Sequence, residues 1–183
     1  MHSLTRFILF RLLGWRIVGD FPPHDQLVLA VAPHTSWMDF IIAVLTRAVL
    51  QKEIHFIGKK ELFTPWTAWF FTAMGGRPVD RSGNKNTVES VAALFKENKV
   101  FRLALAPEGT RKKVDRLRTG FYHIAQTAKV PILPVGFDFK NKKMLLFPIL
   151  YPGPSMAQDF DVLEGYFDGI EGKVPENSFK KPR

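Results

Sequence analysis

The sequence predicts an α/β fold: a single domain with a mainly parallel, mixed sheet flanked by helices. Short apolar segments alternate with longer segments of helical pattern, which is typical of such sheets. The chain has 183 residues, 46% of them hydrophobic, which is enough for one packed core. No repeat or linker divides the sequence. We therefore expect one domain at residues 21–172, between a short helix at 1–20 and a basic tail at 173–183.

The first segment combines apolar residues with three arginines. Leu4–Val18 is rich in Phe, Ile and Leu, and its arginines point to different sides of a helix. Such a helix packs on the core, or lies on a membrane surface with its arginines reaching the headgroups, and the pattern favours the two readings equally. The apolar run is too short for a signal peptide. The longest uncharged stretches have 15 residues and contain proline, so no membrane-spanning helix is expected.

The first half of the domain predicts two strands, each followed by a helix. Gln26–Ala32 is a short apolar strand that ends at a proline. Met38–Leu50 has a helical apolar pattern, with Ser36 as its candidate N-cap. Ile54–Gly58 is a second strand. The helix Pro65–Met74 follows a threonine cap, has proline in its first turn and ends at two glycines.

The second half continues this alternation. A capping-box pattern at residues 86–89 predicts a helix to about Asn98. The remaining elements are the strand Val100–Leu105, the helix Thr119–Lys129, the strand Ile132–Phe139 and the strand Met144–Leu150. We expect a turn at 140–142 to pair the last two strands.

The charge of the chain indicates an anionic partner. The sequence has 26 basic and 17 acidic residues, a surplus of +9, which suits nucleic acid, an anionic membrane or a phosphorylated substrate. The surplus is concentrated at residues 1–19, 111–118 and 173–183, and we interpret the last as a solvated tail. The absence of cysteine excludes disulfides, thiolate metal sites and cysteine nucleophiles. The histidines lack metal-ligand spacing, so no metal is expected.

Ligand sites in such sheets lie beyond the carboxyl ends of the strands, which directs attention to the loops at 33–37, 58–61 and 106–113. The first loop contains His34, and Asp39 lies in the first turn of the next helix. A carboxylate at that position can orient the imidazole as a general base. The alternative is that Asp39 only interacts with the helix N-terminus.

Two further segments carry groups that suit phosphate. The turn Glu108–Arg111 presents a carboxylate, a hydroxyl and a guanidinium, and Arg111 suits bidentate phosphate binding. In the segment 75–81, two glycines precede Arg77 and Arg81, which point the same way if the segment is extended. The alternatives are a tight turn with solvated charges and an ordinary surface loop.

Taken together, these motifs resemble those of the glycerophospholipid acyltransferase family. The family's first motif, a histidine and an aspartate separated by four residues, is matched by His34 and Asp39. Pro33 stands where the family commonly has asparagine. The third motif, usually Phe-Pro-Glu-Gly-Thr-Arg, is matched by residues 106–111, with Ala106 in place of phenylalanine. This third match is the more specific of the two.

The other motifs follow in the family's order. The second motif, a glycine-led segment ending in arginine, is similar to residues 75–81, although Pro78 replaces a bulkier apolar residue. The stretch 59–63 resembles the family's lead-in to it. The fourth motif, an apolar segment with prolines, is matched by residues 130–134. The resemblance covers about residues 30–135, most of the chain.

The resemblance implies acyl transfer from a thioester, on coenzyme A or on acyl carrier protein, to the free hydroxyl of a lysophospholipid. The acceptor it favours is 1-acylglycerol-3-phosphate, which gives phosphatidic acid. His34 then removes the hydroxyl proton, Asp39 orients His34, and Arg81 and Arg111 hold the acceptor's phosphate. The further substrate-binding positions are Arg77, Lys60, Glu108, Gly109 and Thr110, of which Glu108 and Thr110 bind the acceptor or shape the loop. No cofactor beyond the thioester co-substrate is implied.

With these motifs, the positive charge favours an anionic membrane surface over nucleic acid as the partner. We expect peripheral or monotopic attachment at the cytoplasmic face of a membrane. The aromatic helix Pro65–Met74 enters the bilayer interface, lines an acyl-chain tunnel or packs in the core. The apolar stretch Ile41–Leu45 is likewise either core or acyl pocket. Two alternatives stay open: acylation of a lyso-amino-acid lipid of the ornithine or glycine type, and a non-catalytic basic module that binds anionic lipid or nucleic acid.

Overall fold

The computed structural model describes residues 2–59, 61, 63–79 and 87–182. Seven strands in this part of the chain form a single sheet. They are β1 (Arg16–Val18), β2 (Gln26–Ala32), β3 (His55–Lys59), β4 (Gly76–Val79), β5 (Phe101–Leu105), β6 (Ile132–Asp138) and β7 (Lys143–Leu146). Their order across the sheet is β1-β7-β6-β2-β5-β3-β4.

The sheet is parallel except at one edge. Strands β2 to β6 pair in parallel, β7 runs antiparallel to β6, and β1 is parallel to β7. The turn between β6 and β7 is too short for the crossover that a parallel pair needs, so β7 must reverse direction. The predicted fold class, a mainly parallel mixed sheet flanked by helices, is confirmed, and so is the pairing of the last two predicted strands.

The helices form two layers, one on each face of the sheet. They are α1 (His2–Arg6), which continues as a π-helical turn (Phe7–Leu12), α2 (Met38–Leu50), α3 (Ala68–Ala73), α4 (Thr87–Glu97), α5 (Gly120–Ala128), α6 (Met156–Phe167) and a 3₁₀ turn (Pro175–Asn177). Alternate residues of β2 face opposite layers. Val28 packs in the cluster under α4, α5 and α6, whereas Leu29 packs in the cluster under the π-helical turn and α2.

Aromatic contacts place α3 in the same layer as α2. Phe40 of α2 meets Phe56 of β3 edge to face, with ring centroids 5.3 Å apart. A Cβ atom on Gly76 would lie 2.8 Å from the carbonyl oxygen of Phe71 and 3.0 Å from the ring of Phe56. The Arg47 side chain of α2 also donates to the carbonyl of Ala73 at 3.5 Å. The layers are therefore α1–α2–α3 and α4–α5–α6.

Several predicted helix boundaries differ from those of the structure. The first helix ends at Leu12 instead of reaching Val18, because residues 16–18 pair with β7. The helix expected from Pro65 begins at Ala68, whose N–H donates to Thr64 at 2.8 Å across a preceding turn. Trp37, not Ser36, is the N-cap of α2, although the Ser36 hydroxyl accepts the Met38 N–H. The capping-box residue Asn86 lies outside the described residues.

Both ends of the chain contribute side chains to the core. Leu9 and Trp15 pack into the core, so the first segment contributes to it, while Leu4, Phe7 and Leu12 stay exposed. At the other end, Ser178 and Phe179 are buried. The interpretation of residues 173–183 as a solvated tail is therefore wrong for these two residues. Burial of one aromatic ring contributes enough to fix a short polar segment.

Candidate active site

The loops that follow β2 and β5 meet at one edge of the sheet. These strands are neighbours and parallel, with Ala30 opposite Leu105, so their carboxyl ends lie side by side. The first loop carries His34 and the second carries the turn 108–111. The expectation that these two loops come together is confirmed by the contacts between them.

His34 and Asp39 form the pair that the sequence predicts. The imidazole Nδ1 lies 3.0 Å from Asp39 Oδ2, and the same oxygen accepts the backbone N–H groups of Thr35 and Ser36 at 2.8 Å each. Asp39 is 1% exposed. It therefore contacts the imidazole and also holds the backbone before α2. A carboxylate at Nδ1 fixes the tautomer with its proton there, so the lone pair lies on Nε2, where it accepts the Arg111 Nε–H at 3.4 Å.

Glu108 is buried and binds the backbone of the His34 loop. Its two carboxylate oxygens accept the His34 backbone N–H at 2.8 and 3.1 Å, and its side chain is only 1% exposed. The pKa of Glu108 is raised to about 7, chiefly by burial and also by the charge of Asp39, against the opposing hydrogen bond from His34. Of the two roles that the sequence leaves open for Glu108, these contacts favour the shaping of the loop.

The rest of the turn places a guanidinium beside the imidazole. Arg111 is exposed, and its Nε lies 3.4 Å from His34 Nε2. Gly109 has a φ of +64°, and a Cβ atom there would lie 2.7 Å from Arg118 Cδ, so both conformation and space favour glycine. The Thr110 hydroxyl accepts the Lys112 N–H at 3.3 Å. The turn therefore presents Arg111 where an anionic group could meet it next to Nε2.

The structure does not bring every predicted site residue close to His34. Arg77 lies in β4 opposite Ile57, and β3 and β5 separate it from β2. It lies near buried His55, whose pKa is lowered by burial and then by the charge of Arg77. Lys60 and Arg81 lie outside the described residues, so their predicted roles stay predictions.

One contact of the site was not predicted from the sequence. The Thr35 hydroxyl accepts the backbone N–H of Val174 at 3.1 Å, and Gly172 packs against the Thr35 side chain. Thr35 is 5% exposed. No local pattern marks a contact between residues 139 positions apart, so the sequence offers no signal for it.

An apolar cavity of about 50 Å³ lies between α2 and the sheet. Its lining includes Val31, Ala43, Thr46, Leu50 and Ala104. It runs along the inner side of α2 to the end of that helix, and neither His34 nor Asp39 is among its lining residues.

Exposed apolar side chains are concentrated on the α1–α2–α3 layer. Of the twelve large hydrophobic residues exposed in the described part of the chain, eight belong to this layer or to the turns that begin its helices. We call these eight the apolar face: Leu4, Phe7, Leu12, Trp37, Ile41, Trp66, Trp69 and Phe70. No helix among residues 2–59, 61, 63–79 and 87–182 is long and apolar enough to cross a bilayer.

Comparisons with known proteins find similarity over the segment that contains both loops. The family model described as Acyltransferase matches residues 16–138. The 1-acyl-sn-glycerol-3-phosphate acyltransferase of Bacillus subtilis (strain 168) is 31% identical over 135 residues, which cover 68% of this chain and 66% of that protein. The protein of the same name from Streptococcus pneumoniae (strain ATCC BAA-255 / R6) is 30% identical over 135 residues, 69% of this chain and 50% of that protein. The chain thus spans half to just under two thirds of these relatives.

The fold has a counterpart among solved structures. The crystal structure of the 1-acyl-sn-glycerophosphate acyltransferase PlsC from Thermotoga maritima superposes with a TM-score of 0.56 and 19% sequence identity. The match covers 90% of this chain and 76% of that one. At this identity the likeness concerns the arrangement of the sheet and helices.

Proposed function

The chain belongs to the acyltransferase family, and we propose that it moves a fatty acyl group from a thioester to the free hydroxyl of 1-acylglycerol-3-phosphate, giving phosphatidic acid. The donor is acyl-coenzyme A or an acylated acyl carrier protein. The observation that carries the proposal is the pair His34–Asp39, joined at 3.0 Å, with Nε2 turned toward Arg111.

In the proposed reaction, Arg111 turns from Nε2 to the acceptor's phosphate, which frees the Nε2 lone pair. His34 Nε2 then takes the proton of the acceptor's hydroxyl as its oxygen attacks the thioester carbonyl. A carbon–oxygen bond forms, the tetrahedral intermediate collapses, and the carbon–sulfur bond breaks. The departing thiolate then receives the proton from the imidazolium. Buried Asp39 stabilises that imidazolium and keeps Nδ1 protonated. General-base catalysis of this kind contributes about 10²- to 10⁴-fold in rate.

The exposed guanidinium of Arg111 suits the phosphate of the acceptor, because it can donate two parallel hydrogen bonds to phosphate oxygens. Its position 3.4 Å from Nε2 would hold a phosphate close to the base. In 1-acylglycerol-3-phosphate the reacting hydroxyl is on the carbon next to the one that bears the phosphate. The short distance between the Arg111 guanidinium and His34 Nε2 therefore fits this acceptor.

The apolar cavity under α2, at about 50 Å³, is too small for a fatty acyl chain, so we place no acyl chain there. From the stretch Ile41–Leu45, Ala43 lines this cavity, Ile42 is buried in the core and Ile41 is exposed.

We further propose that the apolar face rests on an anionic membrane, on the cytoplasmic side where the thioester donors are available. Tryptophan side chains are favoured at the bilayer interface, and Trp66 and Trp69 are 87% and 70% exposed. Arg6 and Arg11, both exposed on the same layer, can reach anionic headgroups. Trp37 links this face to the site, since it follows the His34 loop directly.

The test of the reaction uses the purified chain, a labelled acyl thioester on either carrier and a panel of lysolipids. We expect acylated 1-acylglycerol-3-phosphate from the wild type and a loss of at least about 100-fold in kcat for His34→Ala. Asp39→Asn should also lower kcat. Turnover that survives His34→Ala would remove the general-base role, and the absence of product with every acceptor and both donors would contradict the enzymatic proposal.

Arg111→Ala distinguishes a phosphate acceptor from a lyso-amino-acid lipid. For a phosphate acceptor we expect a KM increase of about 10- to 100-fold, which corresponds to the loss of one charge-assisted contact. Arg116→Ala is the matched control, because Arg116 is exposed in the same basic segment and takes no part in the proposed site. Equal, small effects of both substitutions would favour an acceptor without phosphate.

Membrane attachment is tested by sedimentation with vesicles of phosphatidylglycerol or phosphatidylcholine. The double variant Trp66→Ala/Trp69→Ala should bind phosphatidylglycerol vesicles at least about 10-fold more weakly, because two exposed indoles no longer enter the interface. The control, Met156→Ala/Val162→Ala, removes exposed apolar side chains from α6 in the other layer. If the two double variants bind alike, the apolar face is not the membrane contact.

A further inference from the structure

We infer that residues 168–182, the C-terminal segment, position the catalytic loop 33–36 and so set the place of His34. The inference rests on the proposed role of His34 as the base. The family match ends at residue 138, so the C-terminal segment is a feature of this chain beyond the matched region. It would act through the loop and has no contact with the reacting atoms.

The C-terminal segment is fixed to the domain at both of its ends. At its start, Ile170 is buried and the carbonyl of Glu171 accepts the Phe139 N–H at 2.9 Å. At its end, Phe179 is 1% exposed in the core, and Lys181 Nζ donates to the carbonyl of Asp161 in α6 at 3.1 Å. The middle of the segment is therefore held against its neighbours by anchors on either side.

In the middle of the segment, Gly172 and Val174 contact the catalytic loop. A Cβ atom on Gly172 would lie 2.6 Å from Thr35 Oγ1 and 3.1 Å from Pro33 Cγ, so its backbone already touches both residues that flank His34. The Val174 N–H donates to Thr35 Oγ1 at 3.1 Å. The Gly172 N–H donates to Ser178 Oγ at 2.9 Å, a hydrogen bond that closes the bend around this contact.

Thr35 links the C-terminal segment to the pair His34–Asp39. Its hydroxyl accepts from the C-terminal segment, and its own N–H donates to the Asp39 oxygen that receives His34 Nδ1. From the other direction, Glu108 holds the N–H of His34. The loop is thus held at two successive residues by two distant parts of the chain. Catalytic groups need such fixed positions, since a displacement of about 1 Å can cost about 100-fold in rate.

Two pairs of variants test the inference. Thr35→Val removes the acceptor for Val174 but keeps the shape, whereas Thr35→Ser keeps the hydroxyl. Gly172→Ala places a methyl against Thr35 and Pro33, whereas Gly165→Ala makes the same change on α6, where nothing lies within 4 Å. We expect Thr35→Val and Gly172→Ala to lower kcat by about 10- to 100-fold with KM unchanged. Thr35→Ser and Gly165→Ala should keep the wild-type kcat.

A second readout does not depend on activity. The His34 Nδ1 proton, hydrogen-bonded to Asp39, should give a downfield proton NMR signal that Asp39→Asn removes. We expect that signal to move or broaden in Thr35→Val and Gly172→Ala while thermal unfolding shows both variants folded at the assay temperature. It should be unchanged in Thr35→Ser and Gly165→Ala.

The outcomes separate the two proposals. If His34→Ala is inactive but Thr35→Val and Gly172→Ala keep the wild-type kcat and the wild-type signal, the C-terminal segment does not position the loop. A kcat that falls only in proportion to the unfolded fraction overturns the inference as well. If the wild type transfers no acyl group, the proposed function fails, and the NMR signal alone still decides whether the C-terminal segment fixes His34.

Discussion

Two buried carboxylates hold the backbone around His34 from different directions. Glu108 accepts the N–H of His34, while Asp39 accepts those of Thr35 and Ser36. Both side chains are 1% exposed, and the charge of Asp39 adds to the effect of burial on the pKa of Glu108. In the folded protein Glu108 therefore stays protonated well above the usual pKa of a glutamate and ionises as the pH rises through about 7.

Glu108→Gln should change how stability depends on pH. The pKa of Glu108 is raised from 4.5 to about 7 in the folded state, so its contribution to stability is complete below about pH 4.5 and is lost as pH rises through 7. A permanently neutral glutamine does not lose that contribution. We expect the free energy of unfolding of Glu108→Gln, relative to wild type, to rise by on the order of 3 kcal/mol between pH 4.5 and 8.

Urea unfolding at the two pH values measures this difference. The control is Glu97→Gln, which makes the same change at an exposed position at the end of α4. The control should show almost no change with pH relative to wild type. A Glu108→Gln difference that stays constant between pH 4.5 and 8 would contradict the raised pKa.

Gly109→Ala should weaken both stability and activity. Its φ of +64° disfavours alanine by roughly 1–2 kcal/mol, and the new methyl would meet the Arg118 side chain at 2.7 Å. The turn that carries Arg111 would then shift. Gly120→Ala, at a position with nothing within 4 Å, is the control and should keep wild-type urea stability and kcat/KM. Equal behaviour of both variants would mean that the turn tolerates a side chain at 109.

At the level of whole elements, a polar cluster around Asp159, in the first turn of α6, attaches this helix to its neighbours. Asp159 Oδ2 accepts the hydroxyl of Tyr122 at 2.6 Å and the N–H of Gly153 at 2.7 Å. Tyr122 lies in α5 and is 1% exposed, so the cluster joins two helices of the same layer. The sequence analysis did not predict α6, although Ser155 caps its start and Phe160, Leu163 and Phe167 follow at helical spacing.

Tyr122→Phe should loosen the attachment of α6. It removes the hydrogen bond to Asp159 and leaves that carboxylate less satisfied, at a cost of about 1–3 kcal/mol in the free energy of unfolding. Tyr166→Phe is the control, since the Tyr166 ring stacks on Phe147 and phenylalanine keeps that contact. Urea denaturation of both variants gives the comparison, and an equal loss in both would show that the Tyr122 hydroxyl contributes nothing specific.

The sequence predicts the parts of this fold that are encoded locally. Strands β2 and β5 and the helix α2 stand out by their apolar pattern, and the carboxyl-end rule correctly brings His34 and Glu108 together. Strand β1 is short and forms only because β7 is beside it, so a helical pattern misled the prediction. The buried role of Glu108 and the contact of Thr35 with Val174 depend on residues far apart, which no local pattern encodes.

For the molecule as a whole, the two layers differ in chemistry. The apolar face belongs to α1–α2–α3, and Arg6 and Arg11 are exposed on the same layer. The α4–α5–α6 layer contributes few exposed large hydrophobic residues in the described part of the chain, notably Met156 and Val162. Together with the net charge of +9, this asymmetry fits the proposed binding of one side of the protein to an anionic membrane.

Salt should weaken this attachment without abolishing it. Raising the ionic strength from 0.1 to 1 M shortens the Debye length from about 10 to 3 Å, which screens the arginines but not the burial of Trp66 and Trp69. We expect the affinity for phosphatidylglycerol vesicles to fall at least about 10-fold and to approach that for phosphatidylcholine. Sedimentation at several salt concentrations measures it, and a salt-independent affinity would remove the electrostatic part of the proposal.

The residues that hold the His34 loop lie far from it along the chain, and this affects when the loop can form during synthesis of the protein. The hydrogen bonds that hold the loop link residues 74 and 139 positions apart. A chain growing on the ribosome therefore exposes Trp37 and its neighbouring apolar residues well before residue 174 exists. If these residues engage lipid as they emerge, the nascent protein reaches its membrane first and completes its catalytic loop there, so that it first becomes active beside its substrate.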